Sequence, residues 1–343
     1  MSSHVLKINE NKKNLEKRFF ILKSIRKFFD KQNFTEIEAP LIVKYAGQEP
    51  NIEPMMLKVH DENGREFQAF LHTSPEYTMK KMLSAGFDKI FFLGKTFRDY
   101  ESFGGTHNPE FTMIEWYRKY CDFNKIMDDT EGLFKFVSKK LKKSKFKFAD
   151  KEFFNFINQK WQRVSTKQLF KKYVKVNLDD YLTKEKMAKL CQDLKIKFSK
   201  GERFEELFYR IFLEKIEPNL GFDKPTIVYN YPATMAALSR ISKKDKRYAE
   251  RFEVYFKGLE LANAYSELTD AQEQQKRLLE EKKINEKIKH NLVDLDKDFL
   301  EALQIGLPEC AGIALGVDRL VMALSGCEEI NNVLTLGMKD LFY

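Results

Sequence analysis

Residues whose chemistry suits phosphate binding are concentrated in residues 95–117, which read KTFRDYESFGGTHNPEFTMIEWY. Two strand-like segments flank a loop that carries a set of polar and glycine residues: Arg98, Glu101, Gly104, Gly105, His107 and Asn108. A guanidinium can grip two phosphate oxygens at once, and Phe111 offers an aromatic face to a base. The stretch therefore predicts a hairpin that binds a nucleoside phosphate. An ordinary β-hairpin with a polar turn is the alternative, and it accounts poorly for the whole set.

A second polar cluster lies in ELANAYSELTD, residues 260–270. Strict alternation along a strand assigns its residues to two faces, with Glu260, Ala262, Ala264 and Ser266 on one and Asn263, Tyr265 and Glu267 on the other. Oxygen-bearing side chains amid apolar neighbours can hold Mg²⁺ or an ammonium group. An edge strand with solvated carboxylates is less favoured, because the neighbouring FEVYF and ELA segments read as buried.

The third cluster is GIALGVDRL, residues 312–320. Gly316 permits a tight turn from strand to helix, and Arg319 then lies in the first turn of that helix. A cation is disfavoured there by the helix dipole, so an anionic ligand facing Arg319 explains it better. Asp318 is an ordinary acidic residue for a helix start, and no further role is assigned to it.

The elements around these clusters follow from apolar spacing. Apolar residues recur at helical spacing over residues 14–33, and PEYTMKKMLSAG, with Pro75 at its start and Gly86 at its end, predicts another helix. Further helices are predicted at residues 122–145, 270–290, 297–305 and after Gly316. Strands are predicted before Pro40 and at residues 66–71, 89–97, 110–117, 226–232, 252–268 and 311–316.

Strands separated by helices at uneven spacing predict a mixed α/β or α+β sheet rather than a regular βαβ repeat. Neither GxGxxG nor GxxxxGK[ST] occurs, which removes support for both common nucleotide-binding folds. Residues at about 130–225 are rich in Lys and Phe, and we interpret them as a mostly helical insertion within one catalytic domain. Their basic tract, KKLKKSKFKF at 139–148, is either a polyanion-binding patch or, as we favour, a solvated helix end.

Composition is that of a globular protein, with 43% hydrophobic and 32% charged residues among 343. The net charge of +9 favours an acidic partner such as ATP, a nucleic acid or an acidic protein without choosing between them. The four cysteines form no CxxC and are interpreted as reduced structural thiols. No leader or membrane-spanning stretch is evident, so a cytoplasmic location without membrane association is expected.

Three stretches of the sequence resemble, in order, the three signature motifs of class II aminoacyl-tRNA synthetases. QNFTEIEAPLI, ending at Pro40, resembles motif 1; FRDYE…HNPEF resembles motif 2; GIALGVDRL resembles motif 3. Within that class, HTSPEYTMKKMLSAG, HNPEFTMIEWY and ELANAYSELTDAQEQ are similar to the lysyl branch. The likeness covers about residues 15–130 and 226–337. It implies an α+β fold, with a mixed, mostly antiparallel sheet flanked by helices, in a single catalytic domain over 1–343.

The resemblance also implies roles for individual residues. The catalytic residues would be Arg98, Arg319 and Glu260, with Glu260 also next to Mg²⁺. ATP would be bound by Arg98, Glu101, His107, Asn108, Phe111, Glu260, Leu261, Gly316 and Arg319. The amino acid would be bound by Ser74, Glu76, Glu115, Tyr117, Asn263, Glu267 and Ala314. Motif 2 commonly reads FRxE, whereas FRDYE places the glutamate one residue later, so Asp99 is an alternative to Glu101.

Two features favour one branch of the lysyl group. The core begins almost at the N-terminus, which is expected to leave no room for an N-terminal OB-fold anticodon-binding domain, and motif 3 has Ala314 where the tRNA synthetases usually have Gly. Both are similar to the elongation factor P (R)-β-lysine ligase family, whose members activate (R)-β-lysine with ATP and transfer it to a lysine of elongation factor P. The resemblance implies that activity, with ATP and Mg²⁺, elongation factor P as partner and a homodimer paired through motif 1; tRNA is not expected.

Three alternatives stay open at this point. A minimal lysyl-tRNA synthetase would charge tRNA instead. A synthetase-like regulator would bind ATP or RNA without catalysis, although it has little need for all of Arg98, Glu260 and Arg319. An amidating enzyme of the asparagine synthetase type would need a cation for a substrate carboxylate, and Glu115 and Glu267 have the opposite charge.

Overall fold

The computed structural model describes residues 3–146, 151–290 and 292–343. Its α-helices are α1 His4–Asp30, α2 Glu76–Ser84, α3 Phe123–Lys142, α4 Lys151–Asn158, α5 Thr166–Leu169, α6 Lys184–Asp193, α7 Phe204–Ile211, α8 Ala271–Ile288, α9 Lys297–Gly306, α10 Val317–Ser325 and α11 Met338–Phe342. Its strands are β1 Thr35–Glu36, β2 Ile42–Val43, β3 Met56–His60, β4 Glu66–Leu71, β5 Lys89–Phe97, β6 Glu110–Lys119, β7 Gln162–Ser165, β8 Thr226–Pro232, β9 Tyr248–Phe256, β10 Leu259–Ser266 and β11 Cys310–Gly316.

The main sheet contains eight strands within the described residues, in the order β1-β5-β6-β11-β10-β9-β8-β7. The two edge strands, β1 and β7, pair in parallel with their neighbours, and the other pairs are antiparallel. Helices pack against this sheet, so the predicted α+β fold with a mixed, mostly antiparallel sheet is confirmed.

The central strands read as nearly continuous apolar runs because both of their faces are covered. On one face, α1, α3 and α10 enclose a core that includes Trp116, Phe252 and Ile313. On the other face, α2 and α9 cover Ile90, Phe92 and other apolar residues at the base of the site. The central strands are therefore held between two apolar layers, and side chains at their ends face the cavity described below.

The segment that resembles motif 1 forms two short strands rather than one. Strand β1 joins the main sheet, whereas β2 joins a small sheet with the order β2-β4-β3, and Pro40 lies between them. Proline cannot donate a ladder hydrogen bond, which agrees with its position between strands. The small sheet and its flank leave apolar side chains exposed: Leu41, Ile42, Met56 and Phe67.

The segment predicted as an insertion has its own apolar core. Helices α5, α6 and α7 enclose Phe170, Leu190, Phe208 and other residues, and this cluster continues onto Tyr231 and Tyr255 of β8 and β9. Strand β7 was not predicted, and it extends the main sheet at this side. The basic tract at 139–148 lies within the described residues only as far as Phe146. Among the residues described, no helix is long and apolar enough to cross a membrane.

Candidate active site

A cavity of about 340 Å³ opens over one face of β6, β11 and β10. The strand register arranges its floor in two rows: Glu115, Ala314 and Asn263 lie side by side, as do Tyr117, Gly312 and Tyr265. Residues directly opposite each other on antiparallel strands point to the same face of the sheet. These two rows therefore bring together side chains that lie up to about 200 residues apart in the sequence.

Glu115 lies at one end of the cavity and is held by two hydroxyl groups. Ser74 Oγ donates to Oε2 over 2.7 Å, and the Tyr117 hydroxyl donates to Oε1 over 2.6 Å. Burial, with the charge of Glu76 adding to it, raises the pKa of Glu115 to about 8 despite these hydrogen bonds. The carboxyl group is therefore suited to bind a cation, because a positive charge stabilises its ionised form more than two hydroxyl groups do.

Beneath this end of the cavity, a buried ammonium group joins two more carboxylates. Lys80 Nζ lies 2.6 Å from Oε1 of Glu76 and 2.7 Å from Oε2 of Glu267. Burial alone would lower the pKa of Lys80, but the two carboxylates raise it well above its usual value. Glu76 lines the cavity, whereas Glu267 lies behind the cavity wall and faces Lys80.

A β-bulge places Glu260 at the cavity. The register between β9 and β10 shifts between Glu260 and Ala262, so Leu261 is an extra residue. A bulge reverses the alternation of side chains beyond it, and it therefore brings Glu260 to the face that carries Asn263. The sequence-based assignment of these two residues to opposite faces was wrong, because it assumed a regular strand.

Two arginines converge at the other end of the cavity. Arg319 donates from Nη1 to the Glu260 carbonyl over 2.9 Å, from Nε to the Thr106 carbonyl over 3.2 Å, and from Nη2 to His107 Nε2 over 2.7 Å. Burial, followed by the charge of Arg319, lowers the pKa of His107, so its imidazole is neutral and can accept this bond. Arg319 therefore ties the motif 2 loop to β10.

Arg98 completes this cationic end. Its guanidinium lies 5.1 Å from the centroid of the Phe111 ring. Burial lowers the pKa of Arg98, while the charges of Glu101 and Glu49 oppose that change. Within the described chain its buried Nε has no hydrogen-bond partner. A buried guanidinium with an unused donor is a strong indication that an anionic ligand binds here.

Glu260 lies between these cations and a second buried carboxylate. Burial and the charge of Glu253 raise the pKa of Glu260 to about 7, and Arg319, Arg251 and Arg98 oppose that rise. No group of three or more His, Cys, Asp or Glu residues within the described chain is arranged to hold a metal ion by itself. Mg²⁺ would fit only as a partner of bound phosphates, with Glu260 as the protein carboxylate, since Mg²⁺ commonly binds that way.

The loop between β5 and β6 is anchored on the C-terminal segment. Asn108 donates to the Glu110 carbonyl over 2.6 Å and accepts from the Met338 amide over 2.8 Å, while the Gly105 amide donates to Glu329 over 2.9 Å. The amide of Asn108 is thus engaged by the protein itself. Glu101 lines the cavity, whereas Asp99 pairs through its backbone with Glu53 outside it.

Of the sequence-predicted site residues, those that line the cavity are Ser74, Glu76, Arg98, Glu101, His107, Asn108, Phe111, Glu115, Tyr117, Glu260, Leu261, Asn263, Ala314, Gly316 and Arg319. Glu267 is placed behind it. The structure adds cavity residues that were not predicted: Glu49, Ile52, Thr73, Thr106, Met113, Tyr265, Gly312 and Ile330. Glycine within a strand pattern was a usable signal for Gly312, and alternation with Asn263 was one for Tyr265.

Asp318, to which no role was assigned, is a buried anchor of this site. It forms an ion pair with Arg18 of α1 and accepts a hydrogen bond from the Thr112 amide of β6 over 2.7 Å. Arg18 also donates to the Thr112 hydroxyl over 2.7 Å. These contacts fix the start of α10 on β6, and so they fix the position of Arg319.

Comparisons with known proteins agree with this architecture. The family model of class II tRNA synthetases for Asp, Lys and Asn matches residues 3–340. Proteins named elongation factor P–(R)-β-lysine ligase are similar over nearly the whole chain. The one from Avibacterium paragallinarum is 35% identical over 99% of this chain and 100% of its own length. Those from Yersinia enterocolitica and Proteus mirabilis are 37% and 38% identical, each over 94% of both chains. The chain therefore belongs to the elongation factor P–(R)-β-lysine ligase family, a group of ligases built on the class II aminoacyl-tRNA synthetase domain.

Proposed function

We propose that this enzyme activates (R)-β-lysine with ATP as an aminoacyl-adenylate and transfers the aminoacyl group to a specific lysine of elongation factor P. One observation carries the proposal: a single cavity holds two arginines at one end and a hydroxyl-bound carboxylate, Glu115, at the other. The arginines suit a triphosphate and a substrate carboxylate, whereas Glu115 and Glu76 suit the ammonium groups of a lysine.

In the first step, a carboxylate oxygen of the amino acid attacks the α-phosphorus of ATP. A new P–O bond forms, and the bond to the bridging oxygen breaks as pyrophosphate leaves with the electron pair. Arg98 would bind the α-phosphate and the substrate carboxylate together, and Arg319 would balance charge on the leaving group. Fixed charges of this kind lower the barrier without a side-chain nucleophile.

The remaining residues would bind and orient the two substrates. Phe111 would stack on adenine, with Glu101, His107, Asn108, Leu261 and Gly316 around the nucleotide, and Asn263 and Ala314 beside the amino acid. Glu260 would hold Mg²⁺, whose positive charge would help to neutralise the phosphates. Glu267 would attract the substrate ammonium from behind the cavity wall through its negative charge.

In the second step, the acceptor amine attacks the carbonyl carbon of the adenylate. The ammonium group of the acceptor must first lose one proton, and its nitrogen loses another as the amide forms. The bond between the carbonyl carbon and the phosphate oxygen breaks, and AMP leaves with that electron pair. The products are the amide, AMP and two protons.

The choice of acceptor rests on the relatives, whose names give elongation factor P and (R)-β-lysine. Ala314 supports (R)-β-lysine as the amino acid, since it lies between Glu115 and Asn263 on the cavity floor. A methyl group at this point raises the floor and changes where the backbone end of a substrate can rest. α-Lysine charged onto tRNA is the alternative that the assay below separates.

We also propose a homodimer, formed through the motif 1 segment. Leu41 and Ile42 follow Pro40 and are 41% and 51% exposed, and Met56 and Phe67 of the adjoining sheet are 52% and 43% exposed. Apolar side chains grouped in this way commonly mark a protein interface. Sedimentation of the wild type should give a dimer, and Ile42→Glu should shift it toward the monomer.

ATP–pyrophosphate exchange tests the first step, with (R)-β-lysine and α-lysine compared. Exchange should be faster with (R)-β-lysine, and labelled amino acid should then pass to a single lysine of elongation factor P. Absence of exchange with both amino acids would refute the enzyme proposal and favour a binding protein. Efficient charging of tRNA without labelling of elongation factor P would favour a lysyl-tRNA synthetase.

A further inference from the structure

Lys80 is a buried charge that the reaction proposed above does not use. It lies on α2, four residues after Glu76, and its side chain is 1% exposed. Residues four apart are neighbours on a helix face, and a Glu followed by a Lys is the favourable order. On a surface this pair would contribute little, but here the ammonium group also reaches Glu267, the residue that follows β10. The lysine therefore joins two elements of the site.

The carboxylates around Lys80 need a positive charge among them. Carboxylates converge on this end of the cavity from a loop, a helix, a strand and the residue after a strand: Glu49, Glu76, Glu115 and Glu267. Burial raises the pKa of Glu49, Glu115 and Glu267, so each of them resists ionisation. Lys80 is the ammonium group in direct contact with two of the four, Glu76 and Glu267.

We propose that Lys80 is a positioning residue of the amino-acid site, an internal counter-ion that holds the carboxyl groups of Glu76 and Glu267 together for a cationic substrate. This inference rests on the proposed function, because it assumes that the substrate brings ammonium groups to this end. Without Lys80, the two neighbouring carboxylates would repel each other, and the pair would take up one proton, since like charges in one buried site do not both ionise. The site would then bind a cation only at the expense of that proton.

The test compares Lys80→Met with a matched control, Lys81→Met. Lys81 is the next residue of α2 and forms an ion pair of 2.7 Å with Asp296, outside the main cavity. The KM for (R)-β-lysine in pyrophosphate exchange should rise at least about tenfold in K80M at pH 7, as one unit of pKa coupling implies. The KM for ATP should change less than about twofold, and K81M should change neither by that amount.

The pH dependence of KM separates a positioning role of Lys80 from a general disruption of the fold by the substitution. In K80M the shared proton is held at low pH, so the KM should be highest near pH 6 and should fall toward that of the wild type as the pH rises. The other groups that face the pair are Glu49, Glu115, Tyr117, Tyr265 and the Cys310 thiol. Their side chains are kept in the variant, but the loss of Lys80 also raises the pKa of Glu115, which adds to the same pH dependence. The comparison of the two pH profiles therefore isolates Lys80, and identical profiles would overturn the proposal.

A double variant keeps the test decisive if K80M does not fold. Lys80→Met with Glu267→Gln removes the charge pair as a unit, leaving Glu76 without a like-charged neighbour in contact. Whatever rise in KM the missing Glu267 carboxylate brings, the variant should lack the added pH dependence. A KM that still rises toward pH 6 more steeply than in the wild type would overturn the role as counter-ion. Exchange by the wild type tests the proposed function alone, and only differences among the variants test Lys80.

Discussion

Under the proposed function, Glu115 makes amino-acid binding dependent on pH in a way that can be calculated. With a pKa of about 8 in the empty site, its carboxyl group is about nine-tenths protonated at pH 7. A substrate ammonium binds the ionised form, so binding must release that proton. The apparent dissociation constant should therefore fall about fiftyfold between pH 6 and pH 8, or about 2.3 kcal/mol of binding free energy. The direction is fixed because the pKa is raised, and affinity is lost as the pH falls below it.

Isothermal titration calorimetry of (R)-β-lysine in two buffers with different ionisation enthalpies measures the released proton directly. We expect about 0.9 proton per bound amino acid at pH 7 from Glu115. Glu267, whose burial raises its pKa to about 7, adds a smaller release of its own. Tyr117→Phe separates the two, because the Tyr117 hydroxyl lowers the pKa of Glu115 and not that of Glu267.

Tyr117→Phe should therefore move the binding curve to higher pH, and Glu115→Gln should weaken binding and remove most of the proton release. A dissociation constant that changes less than about threefold between pH 6 and pH 8 would refute the reasoning. So would a Tyr117→Phe variant with weaker binding but an unshifted midpoint, because the hydroxyl would then contact the substrate without tuning Glu115.

Two further substitutions test the rest of the site. A Cβ on Gly312 would lie 2.2 Å from the Tyr117 ring, so Gly312→Ala should displace the ring and raise the KM for the amino acid about tenfold, consistent with an overpacking cost of about 1–3 kcal/mol. Gly132→Ala, whose Cβ meets Phe28 at 3.4 Å, is the control, and equal effects of both variants on KM would contradict the steric argument. Arg319→Lys keeps the charge but loses the planar fork that contacts Thr106, Glu260 and His107, so the exchange rate should fall about 10²–10³-fold. A fall of less than tenfold, measured as kcat in pyrophosphate exchange, would show that charge alone suffices.

The strands that form the cavity were predictable because their pattern is strong. Strands β5 and β6 read as apolar and aromatic runs, and their first and last residues in the structure lie within two residues of the predicted ones. Strand β3 was missed because its residues alternate between half-buried and exposed and include Lys58 and His60. Helix α1 begins ten residues earlier than predicted, since its first turns are mostly polar and their few apolar residues, Val5, Leu6 and Ile8, do not continue as a helical period. The segments that were predicted well are therefore those whose side chains are buried.

The residue types of the site could be predicted from the sequence, but which side chains line the cavity and which lie behind its wall could not. Motif strings place Glu76, Glu115 and Glu267 near one another, and nothing in them distinguishes a carboxylate on the wall from one behind it. That difference comes from Lys80, which reads in the sequence as an ordinary helical lysine. The bulge at Leu261 is equally invisible, because one extra residue in a strand leaves no compositional trace. Both depend on how elements distant in the sequence meet.

The helical segment that shows no chemistry of its own reaches the cavity through hydrogen bonds. Tyr209 of α7 donates to Glu253 over 3.1 Å and accepts from Arg251 over 3.0 Å, and Arg251 donates to the side-chain oxygen of Asn263 over 3.2 Å. Glu253 is buried and also accepts from Tyr231 and Tyr255. A buried carboxylate held by this many donors costs much free energy to disturb. Asn263 is thus fixed by a network that ends in the helical segment, which supports the cavity wall without lining the cavity.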